Sequence, residues 1–282
     1  MARVAVVTDS TAYLPADVAA AHRLTVIPLT VVLGGREGLE GVDITPTDVA
    51  QALVTRRGTV STSRPSPADF EAVYRRLRDA GATGIASVHL SSKLSGTHEA
   101  AVLGAQSCGG AIDVIDGQSA GMGIGFAALN AARAAADGAD LDDVGAAARD
   151  AVGRTSVLFY VDTLEHLRRG GRIGAASALL GTALSVKPIL HVSDGTIVVR
   201  DKVRTASRAL ARMVDLAVET AGDSDVDLAV HHLDAPERAQ QIEAAMVARL
   251  GEKVHDTYTS EIGAVVAAHV GPGLVSIVVH RR

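Results

Sequence analysis

Aromatic residues are scarce: the 282-residue chain holds three Phe, four Tyr and no Trp. A core must therefore come from Ala, Val, Leu and Ile, and base stacking, the usual grip on single-stranded nucleic acid, has almost no platforms. Cationic runs are missing as well. Net charge is −5, and the four Lys and 23 Arg are scattered, so no basic stripe is available to track phosphates. Nucleic acid is not an expected partner. A single cysteine, Cys108, rules out an intrachain disulfide and a cysteine-rich zinc site. No apolar run has the uncharged length of a membrane span, so stable membrane insertion is not expected. The chain runs directly into a strand-like segment, Arg3 to Thr8, with no leader pattern, which makes the cytoplasm the expected compartment.

Several catalytic signatures are absent too. No G-x-x-x-x-G-K-[ST] occurs, which removes a Walker-type nucleotide site. Gly121, Gly123 and Gly125 are spaced G-x-G-x-G, not the dinucleotide fingerprint, and read as close helix packing. His98-Glu99 lacks the second histidine of a zincin helix, and His231 and His232 point to opposite faces of a strand, a poor metal chelate. No G-x-S-x-G elbow surrounds Ser95, and few carboxylates lie near the hydroxyl-rich loops, which weighs against a serine hydrolase and against magnesium-dependent phosphoryl transfer.

Hydrophobic residues make up 48% and charged residues 21%, enough for a large core in one or two domains. Val4 to Thr8 reads as a strand, Pro15 to His22 as a helix, and Leu24 to Leu33 as a strand that Pro28 demotes towards a sheet edge. Ser66-Pro67-Ala68-Asp69 is a helix start with a cap, Pro at N1 and an acid in the first turn. Strand Gly84 to His89, helix His98 to Gln106, strand Ile112 to Asp116 and helices Ser119 to Ala136 and Leu141 to Ala151 continue the alternation, which predicts a parallel sheet. Beyond Arg154 the pattern changes. Ser156 to Val161 is strand-like, Thr163 to Arg169 a short helix, Ala175 to Leu184 an apolar helix, and Ser193-Asp194-Gly195 a hairpin turn. The expectation is an α/β protein: a Rossmann-like domain over 1–154 and an α+β domain with a mixed sheet over 155–282.

Certain polar groups then stand out. Ser95, Gly96 and Thr97 follow a strand and precede a helix, where an anion cradle and an ordinary N-cap are both open readings. Asp9, Ser10 and Thr11 occupy the equivalent place after the first strand and could face the same crevice or satisfy their own turn. Thr62 and Ser63 lie in an extended stretch before Pro65, unexplained by capping, where solvated loop hydroxyls and ligand contacts are both open readings. His269 sits where a helix ends and the chain turns through Gly271-Pro272-Gly273.

Taken together, V-V-T-D-S-T from Val6, S-T-S-R-P-S-P from Ser61, L-S-S-K-L-S-G-T from Leu90, G-G-R-I from Gly170, the Asp194-Gly195 turn with V-R-T from Val203, and A-H-V-G-P-G from Ala268 resemble the DegV family of bacterial fatty-acid-binding proteins. They occur in family order along nearly the whole chain. The resemblance implies a long-chain fatty acid lying between two α/β domains, its carboxylate held by Thr62, Ser63, Ser95 and the Gly96 amide, with His269 orienting or polarising the head group. It implies a lipid carrier rather than an enzyme, with no cofactor besides the bound fatty acid. Some members present that acid to a separate ATP-binding fatty acid kinase subunit and carry the acyl phosphate. Arg172 and Arg204 would then meet the partner or a phosphoryl group. Arg64 stands where the family usually has Gln, His98 where an aromatic is common, and Val270 where Thr is frequent. Two other readings compete: an α/β enzyme acting on a small phosphorylated substrate with His269 as base or nucleophile, and a regulator for which the bound lipid is a signal.

Overall fold

The computed structural model describes residues 3–55, 59–179 and 186–282. Contacts within the chain gather into two units, Met1–Thr30 with Ser63–Gly153, and Val31–Thr62 with Arg154–Arg282. The sequence reading left residues 31–62 in the first domain; their contacts lie with the second unit. The reason is local packing: the helix Pro46–Thr55 lies against the helix Ala264–Val270. Glu40 Oε1 also accepts the Val265 N–H at 2.7 Å, satisfying a donor that the start of that helix leaves free.

The first unit carries a four-stranded parallel sheet in the order Thr25–Ile27, Val4–Asp9, Gly84–His89, Ile112–Asp116. Gly84–His89 is buried at every position, which explains why it reads as a continuous run rather than an alternating one. Its faces still separate by period two. Val7 and Ile85 pack with Phe70, Tyr74, Ala100 and Ala101 from the helices Pro67–Asp79 and Thr97–Cys108. Val4, Val6, Ala86 and Val88 pack with Ala127, Ala131, Val144 and Ala148 from Met122–Ala136 and Leu141–Arg154. On this second face small side chains let the helices lie close to the sheet, whereas Phe70 and Tyr74 fill the other face. Ser66 caps Pro67–Asp79 as expected, and Asp69 returns the bond to complete a capping box. Met122–Ala136 starts later than its pattern suggests, because Gly121 takes φ 65°, which a right-handed helix does not contain. Gly125 does serve close packing: a Cβ there would lie 3.1 Å from the Ala12 carbonyl oxygen.

The second unit carries a six-stranded mixed sheet ordered Thr196–Val203, Lys187–Ser193, Thr155–Tyr160, Val275–Arg281, Val226–His232, Val254–Glu261. Its neighbouring strands pair antiparallel except the last two, which are parallel. The hairpin falls where the sequence puts it, with Asp194 at φ 47° and Gly195 at φ 74° between the paired Ser193 and Thr196. A smaller sheet joins Arg36–Leu39, Thr30–Leu33 and Val60–Ser63. An α/β architecture with a parallel sheet and a mixed sheet is thus present.

Two local expectations differ. The single strand read over Leu24 to Leu33 is two strands, Thr25–Ile27 and Thr30–Leu33, belonging to different sheets. Pro28 has no N–H for a ladder, and the next amide, Leu29 N–H, donates to Ser10 Oγ at 3.0 Å instead. Of the helix expected over 175–184, Gly174–Leu179 is a 3₁₀ segment, and residues 180–184 lie outside the described ones. No helix among the described residues is long and apolar enough to cross a membrane.

Candidate functional site

His269 belongs to the last turn of the helix Ala264–Val270, which Gly271 ends at φ 75°. Thr62 comes from the strand Val60–Ser63. Far apart in sequence, they meet: Thr62 Oγ1 and His269 Nε2 lie 2.9 Å apart. Burial pushes the His269 pKa down to about 4, and the nearby Arg172 charge acts in the same direction. At neutral pH the ring is therefore uncharged and carries one N–H. Nδ1 is buried without a hydrogen-bond partner. A hydrogen on Nδ1 would be an orphaned buried donor, a costlier arrangement than a bare lone pair. The network therefore assigns the hydrogen to Nε2, which donates to Thr62 Oγ1. Thr62 keeps its own hydroxyl hydrogen for another acceptor. A neutral pair of this kind can offer a hydrogen bond to an anionic oxygen without burying a full ion pair.

Strand alternation separates the two neighbouring hydroxyls. Thr62 is half-buried and Ser63 exposed, with Ser63 Oγ donating only a long 3.4 Å bond to the Arg64 carbonyl. Arg172 follows the Gly170-Gly171 turn after the short helix Glu165–Arg169, and its guanidinium donates to the Gly170 carbonyl at 2.5 Å. Arg168 and Arg169 in the same helix both pair with Glu165, whose pKa is held down to about 2, chiefly by Arg168. Arg204 is exposed, two residues before the helix Ala206–Ala221.

In the first unit the Ser95 loop is organised by its own backbone. Ser91 O accepts from Leu94 N–H at 2.9 Å and Ser95 N–H at 3.0 Å. Ser95 Oγ lies 2.9 Å from Thr97 Oγ1 and accepts the Thr97 N–H at 3.3 Å, so it takes part in capping. Gly96 is the N-cap of Thr97–Cys108, with no side-chain cap of its own. Arg64 lies across it, donating to the Gly96 carbonyl at 3.0 Å and to Glu99 at 2.8 Å. Any Cβ at position 96 would collide with that guanidinium.

A second polar cluster escaped the sequence reading. Asp9 Oδ2 lies 3.0 Å from His89 Nδ1, His89 Nε2 lies 2.7 Å from Ser87 Oγ, and Ser87 Oγ lies 2.8 Å from Tyr74 OH. The order Asp-His-Ser matches a hydrolase triad in connectivity, yet all four side chains are inaccessible, so no substrate can reach Ser87. Burial raises the Tyr74 pKa, keeping the phenol protonated. This cluster braces the Ser95 loop, since Asp9 also accepts the Leu90 N–H at 3.0 Å. The signal was present as polar residues closing two strands, Asp9 and His89, but only the adjacency of those strands reveals it. Among the described residues no group of three or more His, Cys, Asp or Glu could hold a metal ion.

The family model described as "Uncharacterised protein, DegV family" matches residues 3–282. The chain belongs to the DegV family. A DegV domain-containing protein of Streptomyces coelicolor is 51% identical over 282 residues, covering 99% of each chain. Among solved structures, a fatty-acid-binding DegV family protein from Thermus thermophilus superposes with a TM-score of 0.94 at 33% identity, covering 99% of this chain and 100% of that one. DegV of Bacillus subtilis, a fatty acid binding protein, gives 0.92 at 31% identity with complete coverage of both chains. The Thr62–His269 pair, the Ser95 loop and the Gly170-Gly171 turn of this DegV chain all fall within the matched span.

Proposed function

We propose that this chain binds a long-chain fatty acid and presents its carboxylate to a separate ATP-binding kinase subunit that forms the acyl phosphate. The observation that carries the reading is the full-length likeness to the fatty-acid-binding DegV protein of Thermus thermophilus, with a TM-score of 0.94. The Thr62–His269 pair supports it with a suitable head-group donor: a neutral histidine that leaves the Thr62 hydroxyl hydrogen free. In this reading Thr62 donates to the carboxylate, Ser63, Ser95 and the Gly96 amide supply further hydrogen bonds, and His269 holds Thr62 in place. Arg172 and Arg204 are the proposed contacts for the kinase subunit or the transferred phosphoryl group. The chain itself acts as a carrier, not as the catalyst.

Burial of a sixteen-carbon tail at about 0.8 kcal/mol per methylene offers roughly 12 kcal/mol before association costs. Affinity then resides mainly in the tail, and the hydroxyls set register and orientation. The test is native mass spectrometry of the freshly purified chain, then denaturation and lipid extraction. A stoichiometric fatty acid released only on unfolding is expected. A chain that is empty and takes up no added fatty acid refutes the reading. A lipid-loaded chain that supports no ATP consumption with a cognate kinase subunit would instead favour the regulator.

A further inference from the structure

The Gly170-Gly171 pair looks like one turn motif, but its members are glycines for different reasons. Gly171 takes φ 72°, and a Cβ built there would meet nothing within 4 Å. Backbone conformation alone accounts for it. Gly170 is the opposite case. Its φ of −72° and ψ of −11° suit any L-residue. A Cβ there would run into His269 Nδ1, with ring Cε1 at 3.3 Å and the His166 carbonyl oxygen also at 3.3 Å. Only the closeness of the His269 ring requires glycine at this position.

The ring cannot move away freely. Its other nitrogen is engaged by Thr62 Oγ1 at 2.9 Å, so a displacement that relieves position 170 breaks that bond. The turn after His269 is closed on the same side, because a Cβ at Gly271 would collide with the His166 ring. Each of the two short helices thus lays a histidine over the glycine at the other's C-terminus: His269 over Gly170, and His166 over Gly271. His269 Nδ1, the nitrogen that faces Gly170, is buried without a hydrogen-bond partner.

We infer that Gly170 is a positioning residue: by lacking a side chain it seats His269 with Nε2–H directed at Thr62, so that the Thr62 hydroxyl becomes the ligand-facing donor. The seating stands on geometry alone; its value for lipid binding rests on the fatty-acid reading above.

The test compares Gly170→Ala with Gly171→Ala in the full chain, using ¹⁵N-histidine NMR to read the His269 tautomer and palmitate titration to read binding. Wild type is expected to show the Nε2–H tautomer and a nuclear Overhauser contact between His269 Hε1 and the Gly170 α-protons. Gly170→Ala should lose that tautomer signature and bind palmitate about tenfold more weakly, equivalent to about 1.4 kcal/mol. Gly171→Ala should lower thermal stability and leave the tautomer unchanged. An unaltered His269 signature in Gly170→Ala overturns the inference, as does the absence of the Overhauser contact in wild type, which needs no folded variant. If the NMR results are as expected but no form binds palmitate, the positioning stands and the fatty-acid reading fails.

Discussion

Asp9 Oδ2 and His89 Nδ1 lie 3.0 Å apart at the ends of adjacent parallel strands, both wholly buried. The carboxylate is fully engaged. Oδ1 accepts the N–H and hydroxyl of Thr11, and Oδ2 accepts from His89 and the Leu90 N–H. A buried charge is tolerable only when compensated in this way.

Asp9→Asn should therefore be severe. The amide nitrogen would replace an oxygen that now faces two donors, leaving groups unpaired in the core. A loss of about 3–5 kcal/mol is expected, read by urea denaturation. Tyr74→Phe removes only the end of the chain and should cost about 1 kcal/mol. Equal losses in the two variants would contradict this account of the network.

Stability should fall in mild acid. Burial lowers the pKa of His231 and of His269 from the ordinary 6.5 to about 4. Between those values the unfolded chain binds protons that the folded one excludes, so stability is full above pH 6.5 and declines as pH drops towards 4. For the fully buried His231 the loss is on the order of 3 kcal/mol. Denaturant midpoints measured across that range check the sign; a midpoint that rises on acidification contradicts it.

Gly104→Ala should destabilise although alanine is the better helix former. Propensity favours the change by about 1 kcal/mol. A Cβ at 104 would, however, lie 2.7 Å from both Phe70 Cβ and the Pro67 carbonyl oxygen in the neighbouring helix. Overpacking costs about 1–3 kcal/mol, so a net loss of about 1 kcal/mol is expected by thermal denaturation.

If the chain carries a fatty acid to a kinase subunit as proposed, Ser95→Ala should weaken phosphorylation more than lipid retention, because in that reading the buried tail supplies most of the affinity. Equal losses in a kinase-coupled assay and in lipid extraction would count against the orienting role. Arg204→Ala, at an exposed position, should leave lipid bound and the fold intact while slowing transfer. Normal turnover with a kinase subunit would contradict the proposed partner contact at Arg204.

Much of the local structure was legible. The helix cap at Ser66, the hairpin at Asp194-Gly195 and the buried strand Gly84–His89 all follow from side-chain and backbone preferences acting over a few residues. The choice of Thr62, Ser95 and His269 as candidate head-group contacts rested instead on the resemblance of their surrounding segments. Pro28 read only as the sign of an edge strand, not as the point where one strand becomes two and the chain leaves one sheet for another.

By itself the sequence determined the α/β class, the aliphatic core and the absence of a cysteine-rich metal site, because composition and short-range periodicity express these directly. Tertiary structure decided which distant groups meet. Thr62 and His269 are 207 positions apart, and Asp9 and His89 are 80 apart, so no local preference couples them. The same holds for Gly170, whose ordinary φ gives no hint of why glycine is required until the His269 ring is seen against it. Strand order and helix packing create those contacts, and they are settled only when the whole chain buries its apolar surface together.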